Sequence, residues 1–210
     1  GGAGRRYPPM GRCGHGQHAA CLIEVEQFHH FAINLDRPLA AVLRQGEGSL
    51  DRFGPDTAAI AAIAHRAGAL CLVDGYQAAG QLAVDVRALD VDFYLGGGLK
   101  WLLGGTGVAF LYARPDLLAA LRPSVTGWFA HREQFKFDPR SFEFHDDARR
   151  LESGTPPLMP VYAQLGGLDV IEEIGVPAIR AATAALTEDL IAGALAQGLR
   201  PKAAARPGER

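Results

Sequence analysis

The sequence predicts an α/β fold, a mostly parallel sheet with helices on both faces, and three observations carry that expectation. Ala69-Leu70-Cys71-Leu72-Val73 is a short apolar run bounded by Gly68 and Asp74-Gly75, as a fully buried parallel strand requires. A second run, Val91 to Leu95, follows after a helical connection, and Thr106 to Ala113 reads as a third strand. Helical and strand patterns alternate along this part of the chain, which implies a sheet covered on both sides. Asp74 and Lys100 then emerge at or just past the ends of the first two runs, where open α/β sheets bind their ligands.

Taken in order, residues 1–50 form a poorly defined Gly-, Arg- and His-rich region without helical or strand periodicity. Cys13, His15, His18 and Cys21 suit zinc by residue type, but zinc spacing usually pairs its ligands across a longer loop, so a solvated Gly-rich terminus is favoured and no metal is expected. Leu22 to Val25 reads as a strand and Leu39 to Leu43 as a short helix, with His29 and His30 between them as a cofactor contact or, more commonly, half-buried loop histidines. The main domain is expected over residues 51–200. Pro55-Asp56 starts a helix over Ala58 to Arg66, with Ile60, Ile63 and Ala64 on its inner face, and Gly68 stops it. Asp85 to Leu89 reads as one helical turn, and Pro115 introduces a helix over Asp116 to Leu121. A loop-rich stretch runs to Pro160. Two helices follow, Val161 to Ile174 and Ala178 to Gln197, the second carrying a stripe of Ile179, Ala182, Leu186 and Leu190. Residues 201–210 read as a tail or the start of a further, smaller domain.

The chain has 210 residues, 48% hydrophobic and 21% charged, with a formal net charge of -2, which is the composition of a globular domain with a substantial core. That charge gives no case for nucleic acid or an anionic membrane surface as partner. No apolar run reaches the roughly 20 residues that span a bilayer, and no secretion signal is recognisable, so a cytoplasmic protein is expected. Three cysteines, Cys13, Cys21 and Cys71, are too few and too scattered for a disulfide framework.

The glycine segment Gly96-Gly97-Gly98-Leu99-Lys100-Trp101 lacks the Gly-Lys-Ser/Thr step of a Walker loop, and it does not give G-x-G-x-x-G between strand and helix. Lys100 is its distinctive member. Beside Leu99, Trp101, Leu102 and Leu103 it is expected to lose hydration, which favours the neutral, nucleophilic amine; taken alone it is an ordinary snorkelling lysine. Asp74 changes that balance. A lysine that forms a Schiff base and an aspartate on the pyridinium nitrogen are what a protein supplies to pyridoxal phosphate chemistry. Gln77 is placed to donate to the phenolic oxygen of that cofactor or simply to begin the next turn, and Asp74-Gly75 is also a common turn former.

The segments VDGYQAAG, VDVRALDVDFYLGGGLKW and GGTGVAFLY, followed by ESGTPPLMPVYAQLGGLDVIEEIGV, resemble the large domain of the class V aminotransferase family of fold type I pyridoxal phosphate enzymes, which includes cysteine desulfurases and kynureninases. The resemblance covers about Asp56 to Arg200. It implies that Lys100 is the Schiff-base lysine, Asp74 the pyridinium partner and Gln77 the phenolic-oxygen contact. It also implies that Thr155 reaches the cofactor phosphate of a second subunit, hence a homodimer, acting on a small-molecule amino acid substrate. Gly127-Trp128-Phe129-Ala130-His131 resembles the Gly-Trp-aromatic-Gly-His loop of kynureninases, which would bring Trp128 to the phosphate region; without the resemblance Trp128 is a loop anchor.

Three departures qualify the match. Leu99 stands where many relatives carry a phosphate-binding side chain before the lysine, so phosphate binding must lean on backbone N–H groups and Thr155. Glu24 to Asn34 is only faintly similar to the family's ring-stacking segment, it lies too close to Asp74, and no phosphate cradle precedes it. The family's small C-terminal domain, with its substrate-carboxylate arginine, is expected to begin about where this chain stops. The expected function is therefore a class V aminotransferase-like enzyme working through Lys100, with kynureninase-like hydrolysis or cysteine desulfurase-like lysis as alternatives, or a non-catalytic dimerisation module. A sheet lacking its early strands is also expected to be poorly soluble without a covering partner.

Overall fold

The computed structural model describes residues 57–203 together with the backbone of two earlier strands, Ile33–Asn34 (β1) and Leu39–Arg44 (β2). The expected strand at Leu22 to Val25, the His29-His30 pair, the Cys13, His15, His18, Cys21 group and the Pro55-Asp56 helix start lie outside the described residues. Helix α1 (Thr57–Arg66) leads into β3 (Leu70–Asp74), and β4 (Phe93–Gly97) and β5 (Ala109–Ala113) complete a four-stranded sheet in the order β2-β3-β4-β5. A one-turn helix α2 (Pro115–Leu118) and a short strand β6 (Arg122–Pro123), antiparallel to β1, close this part of the fold.

The first two sheet pairings are parallel, β2 with β3 and β3 with β4, but β4 and β5 run antiparallel, with Gly97 opposite Ala109. The sheet is thus mostly parallel with an antiparallel edge. The reason is chain length: segment 98–108 is too short for a parallel crossover, which takes a dozen or more residues, and forms a hairpin loop instead. Leu39 to Leu43 is a strand, not the expected helix. Leucine and alanine favour a helix by only tenths of a kcal/mol per residue, whereas parallel pairing with β3 gives this segment a backbone ladder, interrupted by a register shift between Leu39 and Ala41.

Both faces of the sheet are covered. Cys71, Val73, Val91 and Tyr94 pack with Ala61 and Ala64 of α1 on one side, while Leu70, Phe93, Ala113 and Leu121 form the core on the other. The inner face of α1 differs from the expected one, because Thr57, Ala61 and Ala64 are buried and Ile63 is 56% exposed. Small residues let this helix lie close to the sheet. Gly68, at φ +75°, ends it as expected, its N–H bonded to the His65 carbonyl at 2.9 Å. The expected turn over Asp85 to Leu89 is present, with the Asp85 carboxylate accepting from the N–H groups of Arg87 and Ala88.

Three short 3-10 turns (Trp128–Ala130, Gln134–Lys136, Ala148–Leu151) punctuate the loop-rich stretch, and the chain then enters α3 (Leu158–Ile174) and α4 (Val176–Ala196), separated by Gly175 alone. The expected apolar stripe of the second long helix is not buried: Leu186 and Leu190 are 68% and 74% exposed. Among the described residues no helix is long and apolar enough to cross a membrane.

Candidate active site

Parallel pairing of β3 with β4 places Asp74 beside Leu95, so the carboxyl ends of the two strands open together and the loop carrying Lys100 starts next to Asp74. Gln77 follows Asp74 in the turn that leaves β3. The structure therefore brings Asp74, Gln77 and the Lys100 loop to one end of the sheet, the position where α/β sheets bind ligands. Asp74 is buried, and its Oδ1 accepts the Tyr76 N–H at 3.0 Å, which fixes the carboxylate with respect to the turn. The Gly75 N–H continues the ladder to the Leu95 carbonyl at 2.8 Å. Gln77 is half-buried, and its carbonyl accepts the Gln81 side-chain amide at 2.8 Å.

Two tyrosines interlock the strand ends. The Tyr94 ring of β4 occupies the space a Cβ at Gly75 would take, and the Tyr76 ring occupies the space beside Gly97 at the end of β4. Burial, with a further contribution from the Asp74 charge, pushes the Tyr94 phenol up to about 12, so it stays protonated beneath the carboxylate. Backbone at Gly75 and Gly97 thus approaches its neighbours more closely than any side-chain-bearing residue would allow.

Lys100 lies in the β4–β5 hairpin loop and is exposed, as are Leu99 and Leu103. The expected loss of hydration beside those residues is not found, because their side chains spread into solvent and do not close over the amine. The loop backbone is well tied: the Gly98 N–H donates to the Val108 carbonyl at 2.9 Å, Gly104 N–H to the Gly98 carbonyl at 2.8 Å, and Leu103 N–H to the Lys100 carbonyl at 3.2 Å. Leu103 itself sits at φ +57°, the left-handed region that leucine rarely adopts.

Trp128 and Thr155 lie outside the sheet, on two loops that adjoin one another. A Cβ at Gly127 would strike the Ser153 carbonyl, so the GWFAH loop and the ESGTP segment pack backbone to backbone. Trp128 stacks on Phe137 at 6.1 Å and meets Phe129 and Phe135 edge-on, while Thr155 is exposed just before α3. His131 is buried, with Nδ1 accepting the Glu143 N–H at 3.0 Å.

Asp92, Arg150 and Gln164 are buried polar side chains that the sequence pattern does not mark. Asp92 is fully buried inside the run read as wholly apolar; it accepts the Cys71 N–H at 2.7 Å and lies 2.8 Å from both His65 Nε2 and a guanidinium nitrogen of Arg114. Arg150 is buried under the Phe144 ring and donates to the carbonyls of His145 and Leu118, its basicity lowered chiefly by burial. Its signal was a lone pair of arginines after Asp146-Asp147, which reads equally well as a solvated charge run. Among the described residues no group of three or more histidine, cysteine, aspartate or glutamate side chains is placed to hold a metal ion.

A parallel sheet edge with a fixed carboxylate and a lysine-bearing glycine loop defines an α/β enzyme scaffold, and sequence comparison specifies which. Residues 54–199 match the Aminotransferase class-V family, and the chain belongs to it. It is 38% identical over 154 residues to the uncharacterized aminotransferase YcbU of Bacillus subtilis, covering 73% of this chain and 40% of that protein. A probable cysteine desulfurase of Halobacterium salinarum is 40% identical over 129 residues, covering 61% of this chain and 30% of that protein. The kynureninase of Pseudomonas fluorescens is 30% identical over 155 residues, covering 73% and 37%. In fold, the chain is similar to the apo cysteine desulfurase of Thermococcus onnurineus NA1, with a TM-score of 0.69 at 23% identity over 80% of this chain and 41% of that one. A mutant of C-DES with glycine covalently linked to its PLP cofactor is similar at a TM-score of 0.62 and 26% identity, over 74% and 41%. The chain spans about two fifths of the length of the first curated relative that it matches.

Proposed function

We propose that this chain is the cofactor-binding part of a pyridoxal phosphate enzyme acting on an amino acid, with Lys100 as the residue that holds the cofactor by a Schiff base. The observation that carries this reading is the register of β3 with β4, which sets the buried Asp74 carboxylate beside the strand that leads directly into the Lys100 loop. Family membership and the PLP-linked C-DES neighbour support it. The residues present fit the group: an oriented, buried carboxylate for a ring nitrogen and an exposed amine for an aldehyde carbon.

When bound, pyridoxal phosphate supplies an electron sink for carbanion chemistry at the substrate α-carbon. The chain's own residues do the rest. Asp74, held at Oδ1 by the Tyr76 N–H, would keep a proton on the ring nitrogen. Gln77 would donate its side-chain amide to the phenolic oxygen, and the Lys100 amine would hold the cofactor and carry the α-proton. Thr155 of a second copy binds the phosphate, which makes the working unit a homodimer; Trp128 serves the same phosphate region.

The GWFAH motif and the Pseudomonas fluorescens relative favour a kynureninase-like hydrolase as the second reading; cysteine desulfurase-like chemistry is supported by the Halobacterium relative. The test is absorbance and borohydride trapping of the purified protein with added pyridoxal phosphate. A near-visible band that disappears on reduction and leaves the label on Lys100, absent in Lys100→Ala, is expected. A colourless wild-type protein that takes up no cofactor, or a label on another lysine, overturns the proposal.

A further inference from the structure

Helix α3 presents Pro160, Gln164 and Gly167, spaced i, i+4 and i+7, to the loop that carries Lys100. Each makes a different contact with it. Pro160 packs against Gly107, and a Cβ at Gly167 would strike the Leu102 and Leu103 backbone. Gln164 is only 8% exposed and donates its side-chain amide to the Leu102 carbonyl at 3.1 Å. Its oxygen lies where a Cβ of Gly98 or Gly104 would stand, on both sides of the lysine in sequence, and finds no hydrogen-bond partner among the described residues. From the opposite side, Gly80 backs directly onto the Trp101 carbonyl.

We infer that Gln164 is a positioning residue: it clamps the strained Lys100 loop against α3 and so sets where the lysine amine stands relative to Asp74. The inference rests on the assignment of Lys100 given above, and it extends that assignment to a residue outside the sheet. Energetics separate positioning from ordinary stabilisation. One amide hydrogen bond contributes about 0.5–1.5 kcal/mol, while a buried acceptor left unsatisfied costs about 1–3 kcal/mol. A methionine would fill the same space and remove the unpartnered Gln164 oxygen while taking the donor from the Leu102 carbonyl, two opposed effects that leave Gln164 little net stability to contribute. What it supplies is a directional hold on the Leu102 carbonyl, next to a leucine in a left-handed conformation that relaxes when released.

The test compares wild type, Gln164→Met and Gln164→Glu in the intact protein, first without cofactor and then after loading and borohydride reduction. Losing one hydrogen bond of that size raises local opening roughly three- to tenfold. Hydrogen exchange over residues 98–104 of Gln164→Met is therefore expected to accelerate by that factor, with exchange over β3 and the melting temperature unchanged or the latter slightly higher. Gln164→Glu should restore loop protection only at pH values where its carboxyl is protonated and can donate to Leu102. In loaded protein, the Gln164→Met variant should trap less label on Lys100 at equal cofactor concentration. Unchanged exchange over 98–104, or a fall in melting temperature with faster exchange everywhere, overturns the inference and makes Gln164 inert or merely structural. A wild type that takes no label while its loop still responds to the substitution sinks the cofactor assignment and leaves the clamp standing.

Discussion

Asp92 shows why single residues in this chain are hard to read without the fold. Flanked by Val91 and Phe93, it looked like part of a buried strand, yet it is the acceptor on which the β3 backbone, α1 and the start of α2 converge through Cys71 N–H, His65 and Arg114. Removing Asp92 leaves the buried Cys71 N–H without its acceptor while His65 and Arg114 keep access to solvent, so Asp92→Ala is expected to lower unfolding free energy by about 1–3 kcal/mol in urea titration. Cys71 gives a pH prediction. Burial first, and the Asp92 charge second, push its thiol up to about 11 from 9.0. Folding therefore favours the protonated thiol: its contribution is fully present below pH 9.0 and is lost as pH rises towards about 11. In wild type, stability measured by urea midpoint should fall across that window, and less so in Cys71→Ala. At neutral pH, alkylation mapped to the Cys71 peptide should proceed only as fast as the protein unfolds. By contrast Asp74 was legible beforehand, because a carboxylate at the end of an apolar run has no packing reason to be there. Gln164 was not, since nothing local distinguishes a buried glutamine from a solvent-facing one on a helix.

At the scale of elements, α1 corrects the assignment of its own inner face. Ile60, Ile63 and Ala64 were expected on one face; Ala64 is buried, but it is Ala61 that shares the contact while Ile63 faces out. Ile63→Ala should change stability by no more than about 0.5 kcal/mol, whereas Ala61→Leu overpacks the helix–sheet contact and should cost about 1–3 kcal/mol; thermal melts of the two variants decide the matter. The strands β3, β4 and β5 and the helices α1, α3 and α4 were recognisable from run length, periodicity and glycine or proline stops, with boundaries off by two or three residues. Two features were not. The pairing that makes β2 a strand lies in β3, remote in sequence, and the antiparallel edge depends on a loop length that pattern alone did not weigh.

For the molecule as a whole, apolar surface is distributed unevenly. Both faces of the sheet carry packed cores, while Tyr162, Leu165, Leu186 and Leu190 of the two long helices stand exposed in a chain that spans about two fifths of the length of its Bacillus subtilis relative. Isolated, this chain should self-associate, and Leu186→Glu with Leu190→Glu should shift it towards smaller species in size-exclusion chromatography; a wild-type chain that is monodisperse and monomeric counts against this.

The interlocked tyrosines and glycines of β3 and β4 have a consequence in time as well as in space. Tyr94 packs over Gly75, whose neighbours Asp74 and Tyr76 both carry side chains, so a one-residue slip between the strands sets the Tyr94 ring against a side chain and turns the apolar set of the strand to the other face. The pocket end of the sheet cannot close in a wrong register and be repaired later. Competence to capture a ligand should therefore arise in the same kinetic step as native strand pairing, and a refolding experiment that follows ligand uptake would time the formation of the sheet itself.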